Sequence, residues 1–113
     1  MLYEVSLLWG KLTLTHFVTD FGLQSGAMAA GKAGQLEWQE GQPTQMDWLV
    51  AHSAINAAGV LAVTGSPLAA LVEFMIHFLI DAGKAMEMLS YGQDQRAHMV
   101  SKLVVAGVAQ WGI

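Results

Sequence analysis

Cysteine is absent from this 113-residue chain, which excludes disulfides, thiolate metal sites and a cysteine nucleophile. Charge is scarce as well. Asp, Glu, Lys and Arg together make up 12% of the residues, about half the share usual in a globular domain. Five Lys and Arg stand against nine Asp and Glu, a formal charge of -4, and no basic stripe interleaves with aromatics. Nucleic acid is therefore not an expected partner. No glycine-rich phosphate loop, nucleophile elbow or HExxH pattern occurs. The opening Met1-Leu2-Tyr3-Glu4 lacks the basic start and small-residue cleavage site of a signal peptide, so membrane insertion is expected to use the helices themselves.

What the chain does have is apolar surface, with 54% hydrophobic residues. Its length fits a single domain, 1–113. A domain this small has much surface for its volume and ordinarily covers itself with charge. With that cover missing, lipid or a large partner interface is expected to shield it, in a homo- or hetero-oligomer if by protein.

Punctuation divides the chain into four apolar stretches. The first runs from Leu2 to Leu23, interrupted by Glu4, Lys11, His16 and Asp20. A long connection, 25–43, follows, with room for a short surface helix around Met28 or Trp38. Thr44 and Asp47, just after Pro43, form a capping-box pattern that starts the second stretch; Gly65 ends it after Thr64. Ser66-Pro67 reads as an N-cap with proline at the first helical position, so stretches two and three are antiparallel neighbours. The third extends from Pro67 to about Leu89, stopped by Gly92, and the fourth from Asp94 to Ile113. The expected fold is all-α: an antiparallel four-helix bundle, transmembrane.

Spanning requires roughly 20 mainly apolar residues, and the second stretch (Met46 to Val63) and the Leu68–Ile80 core of the third are expected to qualify. Lys11 and Lys102 interrupt the first and fourth. Trp9, Trp38, Trp48 and Trp111 fall near expected ends or in the long connection, as in an interfacial belt. Lys32, Lys84 and Arg96 share one side of the bundle, making the long connection cytoplasmic by the positive-inside rule.

The polar residues recur at helical spacing: His16 with Asp20, His52 with Asn56, Glu73 with His77 and Asp81, Asp94 with His98. Each set lies on one helix face. In an up-and-down bundle they meet in one layer near the cytoplasmic end. Burying ionisable groups there is costly unless they pair or bind metal. A His/Asp set on facing helices suits zinc, manganese or iron, and such an ion lowers the pKa of bound water to make a hydrolytic nucleophile. Bland readings stand beside this one. A lone helical His is more commonly a hydrogen-bonded structural residue, Asp94 a helix cap, Asp81 with Lys84 an exposed ion pair and the Met residues core filler.

The run His16-Phe17-Val18-Thr19-Asp20-Phe21-Gly22-Leu23-Gln24, with Met28 and Lys32, resembles the opening motif of the domain of unknown function 3307 family. The resemblance continues through Leu49-Val50-Ala51-His52, Glu73, His77-Phe78-Leu79-Ile80-Asp81 with Lys84, and Asp94-Gln95 with His98. It implies a small helical membrane protein of bacteria or their phages, hence a bacterial inner-membrane location. A more distant similarity is to membrane-bound proteins labelled metal-dependent hydrolases. The expected function is a membrane protein with a metal-binding, hydrolytic His/Asp site. His16, Asp20, His77, Asp81 and His98 are its candidate ligands, and His52, Asp94 and Gln95 support them. Lys32 and Lys84 are candidates to attract an anionic headgroup or phosphate. The alternative is a non-enzymatic structural or interaction subunit of a larger membrane or phage-related assembly, whose polar cluster only locks the helices together.

Overall fold

The computed structural model describes residues 2–22, 26–34 and 40–111, with no strand among them. The protein is all-α. Its helices are α1 (Leu2–Phe17), α2 (Gly26–Lys32), α3 (Gln45–Thr64), α4 (Pro67–Ala85) and α5 (Tyr91–Trp111). Between α1 and α2, Val18–Gly22 winds as one wider π-helical turn. The short α2 lies in the long connection, around Met28; Trp38 is outside the described residues.

Local chemistry sets most boundaries. The Thr44 hydroxyl accepts from the Asp47 N–H at 3.2 Å, while the Asp47 carboxylate accepts from the Thr44 N–H at 2.9 Å. This reciprocal cap satisfies two helix-end donors. Gly65 closes α3 in the left-handed region (φ 67), donating to the Leu61 carbonyl, a conformation glycine adopts without a Cβ clash. Ser66 then caps α4, with Pro67 opening its first turn.

The end of α4 departs from expectation. The helix stops at Ala85 rather than near Leu89, because Glu87 turns left-handed (φ 61) and donates to the Lys84 carbonyl. Ser90 and Gln93 then cap each other: the Ser90 hydroxyl accepts from the Gln93 N–H and the Gln93 side-chain oxygen accepts from the Ser90 N–H. This second capping box starts α5 at Tyr91, so Gly92 lies inside the first turn instead of ending α4. Asp94 is thereby released from capping and turned inward.

Contacts between the long helices run antiparallel. Asp20 meets His52 while Thr15, earlier in the chain, packs on Gly59, about two turns further along α3. Similarly, His77 lies against His98 and Glu73 against Lys102. A Cβ on Gly59 would come within 3.0 Å of the Thr15 and Thr19 methyl groups; its absence lets α1 approach α3 closely. At one end the core is apolar, formed by Val5, Leu12, Val60, Ala69, Val105 and Ala106. At the other, the interior is polar.

Candidate metal centre

The polar interior is assembled from the end of α1, which carries His16, from the π-helical turn and from α3, α4 and α5. Periodicity of 3.6 residues aligns His77 and Asp81 on one face of α4, and Asp94 and His98 on one face of α5. The π-helical turn carries Asp20 toward α3; such turns recur at functional sites. The Thr19 hydroxyl fastens it by donating to Asn56 Oδ1 at 2.6 Å.

Two carboxylates organise the centre. Asp20 Oδ1 lies 2.8 Å from His52 Nε2 and 3.7 Å from His77 Nε2, and Asp20 Oδ2 is 3.7 Å from His16 Nε2. Asp81 Oδ2 lies 3.2 Å from His77 Nε2 and 3.6 Å from His52 Nε2; Asp81 Oδ1 is 3.2 Å from His98 Nε2. All four imidazoles thus direct Nε2 inward. Asp94 Oδ1 stands 3.5 Å from His98 Nε2. Gln95 joins the groups, donating to Asp94 Oδ2 at 3.0 Å and Asp20 Oδ2 at 3.5 Å, with its oxygen 3.5 Å from His16 Nε2. The four histidines are 0–1% exposed and the three aspartates 3–5%.

Lys32, at the end of α2, donates to Asp81 Oδ2 at 3.1 Å and is partly exposed. Lys84 is not part of the cluster: it is exposed, with its ammonium 5.1 Å from the Tyr91 ring centre.

Glu73 and Lys102 extend the network. His77 Nδ1 donates to Glu73 Oε1 at 3.3 Å, and Lys102 donates to the same oxygen at 2.6 Å. An Nδ1–H bonded to a carboxylate leaves the Nε2 lone pair directed at the centre, the arrangement used to orient metal-binding imidazoles. Neither residue emerged from the sequence as part of the site. Glu73 stood in the right stripe, whereas Lys102 read only as an interruption of an apolar helix.

Several buried atoms find no hydrogen-bond partner. His77 Nε2 and Asp94 Oδ1 are the two that face the centre, near carboxylate or imidazole atoms but not aligned to bond with them. Nδ1 of His16, His52 and His98 also lacks a partner. Buried polar atoms are normally satisfied. Inward-facing unpaired donors of these types are what a cation would satisfy, and the residues form three trios whose ligand atoms lie within 4.8 Å of one another: His16, His77, His98; Asp20, His52, His77; and Asp81, Asp94, His98. The donor set fits a divalent ion.

An all-helical protein with a buried His/Asp centre is the class that the fold and the site define. The chain belongs to the family described as protein of unknown function (DUF3307), which it matches over residues 8–112. No curated protein and no solved structure matches it.

Proposed function

We propose that this is an integral membrane protein whose long helices enclose a divalent-metal centre with hydrolytic chemistry. The observation that carries the reading is the convergence of four Nε2 atoms on the Asp20 and Asp81 carboxylates. Burial of so many ionisable groups is expensive without a cation to offset it. Four buried carboxylates (Asp20, Glu73, Asp81 and Asp94) face the ammoniums of Lys32 and Lys102, which leaves two negative charges when the imidazoles are neutral. Mixed imidazole and carboxylate donors suit zinc, manganese or iron.

Once bound, such an ion polarises water and the oxygen of an ester or anhydride. The chain's own residues prepare the place. Glu73 sets the tautomer of His77, Gln95 ties Asp94 to Asp20, and Lys32 presents a positive charge at the partly exposed rim. Lys32, with Lys84 at the same end, draws an anionic headgroup or phosphate toward the centre.

The membrane part of the reading is supported by an inverted distribution of polarity. α3 is long and apolar enough to cross a membrane, and 28% of its apolar window is buried within the protein. On α4 the ionisable Glu73, His77 and Asp81 face inward, while Leu68, Leu71, Met75 and Leu79 are 43%, 58%, 56% and 66% exposed. Large exposed apolar faces mark contact with lipid or protein.

Metal analysis of the purified wild type beside His77→Ala and Asp81→Ala tests the centre. The wild type is expected to keep bound metal through dialysis and each variant to lose most of it; a metal-free wild type that also takes none up on addition sinks the reading. The hydrogen bonds from Thr19 to Asn56 and from Lys102 to Glu73 favour a second reading, a purely structural lock. That reading expects the variants to lose stability and the wild type never to bind metal.

A further inference from the structure

Seven donor residues surround the centre, more than one ion uses: zinc takes four ligands, and octahedral ions six. Their arrangement divides them. Asp20, His52 and His77 form one compact trio and Asp81, Asp94 and His98 another, while His16, His77 and His98 make a third that joins the two sets. The two oxygens of Asp81 face different trios. Oδ2 points to His52 and His77, at 3.6 and 3.2 Å, and Oδ1 to His98, at 3.2 Å. Each of the first two trios also holds one inward-facing atom without a hydrogen bond, His77 Nε2 in the first and Asp94 Oδ1 in the second. His16 stands between the sets, its ring centre 4.9 Å from that of His98 and its Nε2 3.7 Å from Asp20 Oδ2.

The geometry points to a centre for two divalent ions bridged by the Asp81 carboxylate, with Asp20, His52 and His77 holding one ion, and Asp94, His98 and His16 the other. This inference rests on the metal-binding reading above. Paired ions clamp the attacking and leaving oxygens of an in-line displacement, so the substrate class it implies is a phosphate ester or anhydride. With the two negative charges left by the four carboxylates and the Lys32 and Lys102 ammoniums, two divalent ions leave two positive charges, which an anionic phosphate offsets.

The test uses the full chain purified in detergent, stripped by chelator and reloaded with Mn²⁺ alone. Bound metal is counted, and electron paramagnetic resonance records whether the ions are coupled. Two ions per chain with an exchange-coupled spectrum is the expected result. His52→Ala and His98→Ala, one from each set, are each expected to halve the stoichiometry while circular dichroism keeps its helical form, and the remaining ion is expected to give an uncoupled signal. One ion per chain at saturation overturns the pair but leaves the single-ion centre standing. Two uncoupled ions in the wild type overturn the Asp81 bridge. Loss of all metal from both folded variants shows a single shared site and also overturns the pair. No uptake by the wild type overturns this inference together with the reading on which it rests.

Discussion

Glu73 and Lys102 bring opposite charges into the protein interior from positions 29 residues apart, and their atoms stand 2.6 Å from each other. Both side chains are at most 2% exposed. Removing one partner strands the other charge in a low-dielectric setting, which costs about 3–5 kcal/mol. Lys102→Met is therefore expected to lower the unfolding free energy by about that amount, read by denaturant titration in detergent. The double variant Lys102→Met with Glu73→Gln is expected to recover most of it, since no uncompensated charge remains. Equal destabilisation in the single and double variants would show that packing, not charge pairing, holds Lys102. The i,i+4 pairs of His and Asp were legible in the sequence because helical periodicity alone aligns them. The pairing of Glu73 with Lys102 was not, since it depends on the axial register of α4 against α5. The same register brings Asp94 toward the centre, while the packing of α3 on the π-helical turn and α4 places His52 there, beside Asp20 and Asp81.

At the level of elements, the docking of α2 controls how Lys32 reaches Asp81. Gly31 packs directly on the Trp48 indole of α3, and a Cβ there would overlap the ring. Gln45 adds a hydrogen bond from its side chain to the Lys32 carbonyl at 3.1 Å. Overpacking costs about 1–3 kcal/mol, so Gly31→Ala is expected to lift α2 while leaving the long helices in place. Hydrogen exchange followed by mass spectrometry checks this: protection falls in Gly26–Lys32 and persists in α3, α4 and α5. Unchanged protection in α2 would mean that the indole simply moves aside. Element boundaries were legible where the signal is local, as in Thr44 with Asp47, Gly65, and Ser66-Pro67. The close of α4 escaped because Glu87, not a glycine, takes the left-handed turn. Ser90 and Gln93 form the same kind of reciprocal cap as Thr44 and Asp47, but Gly92 drew attention as a stop signal. The π-helical turn had no distinct sequence mark; Asp20 also falls on the His16 face in an ordinary helix.

For the molecule as a whole, ionisable groups gather inside one end of the bundle while many large apolar side chains stand outward. The absence of cysteine makes this testable with single introduced thiols. In intact membranes, Met75→Cys and Leu79→Cys are expected to resist a water-borne maleimide, whereas Lys84→Cys, at the end of the same helix, reacts. Full labelling of Met75→Cys by the aqueous reagent would place that face in water and remove lipid as its cover. The overall helical class was readable from composition and spacing, because four apolar stretches with clear breaks leave few alternatives. Which surfaces remain outward was not, since it depends on how the polar stripes turn toward one another. On the membrane reading, the union of Glu73 with Lys102 also sets an order for biogenesis. α4 emerges from the ribosome before the Lys102 counter-charge of Glu73 exists, whereas Lys32, the partner of Asp81, has already been made. On that reading Glu73 on the nascent α3–α4 hairpin is expected to stay shielded from hydrocarbon until α5 arrives. Release into the bilayer becomes a late step, governed by synthesis of the last helix.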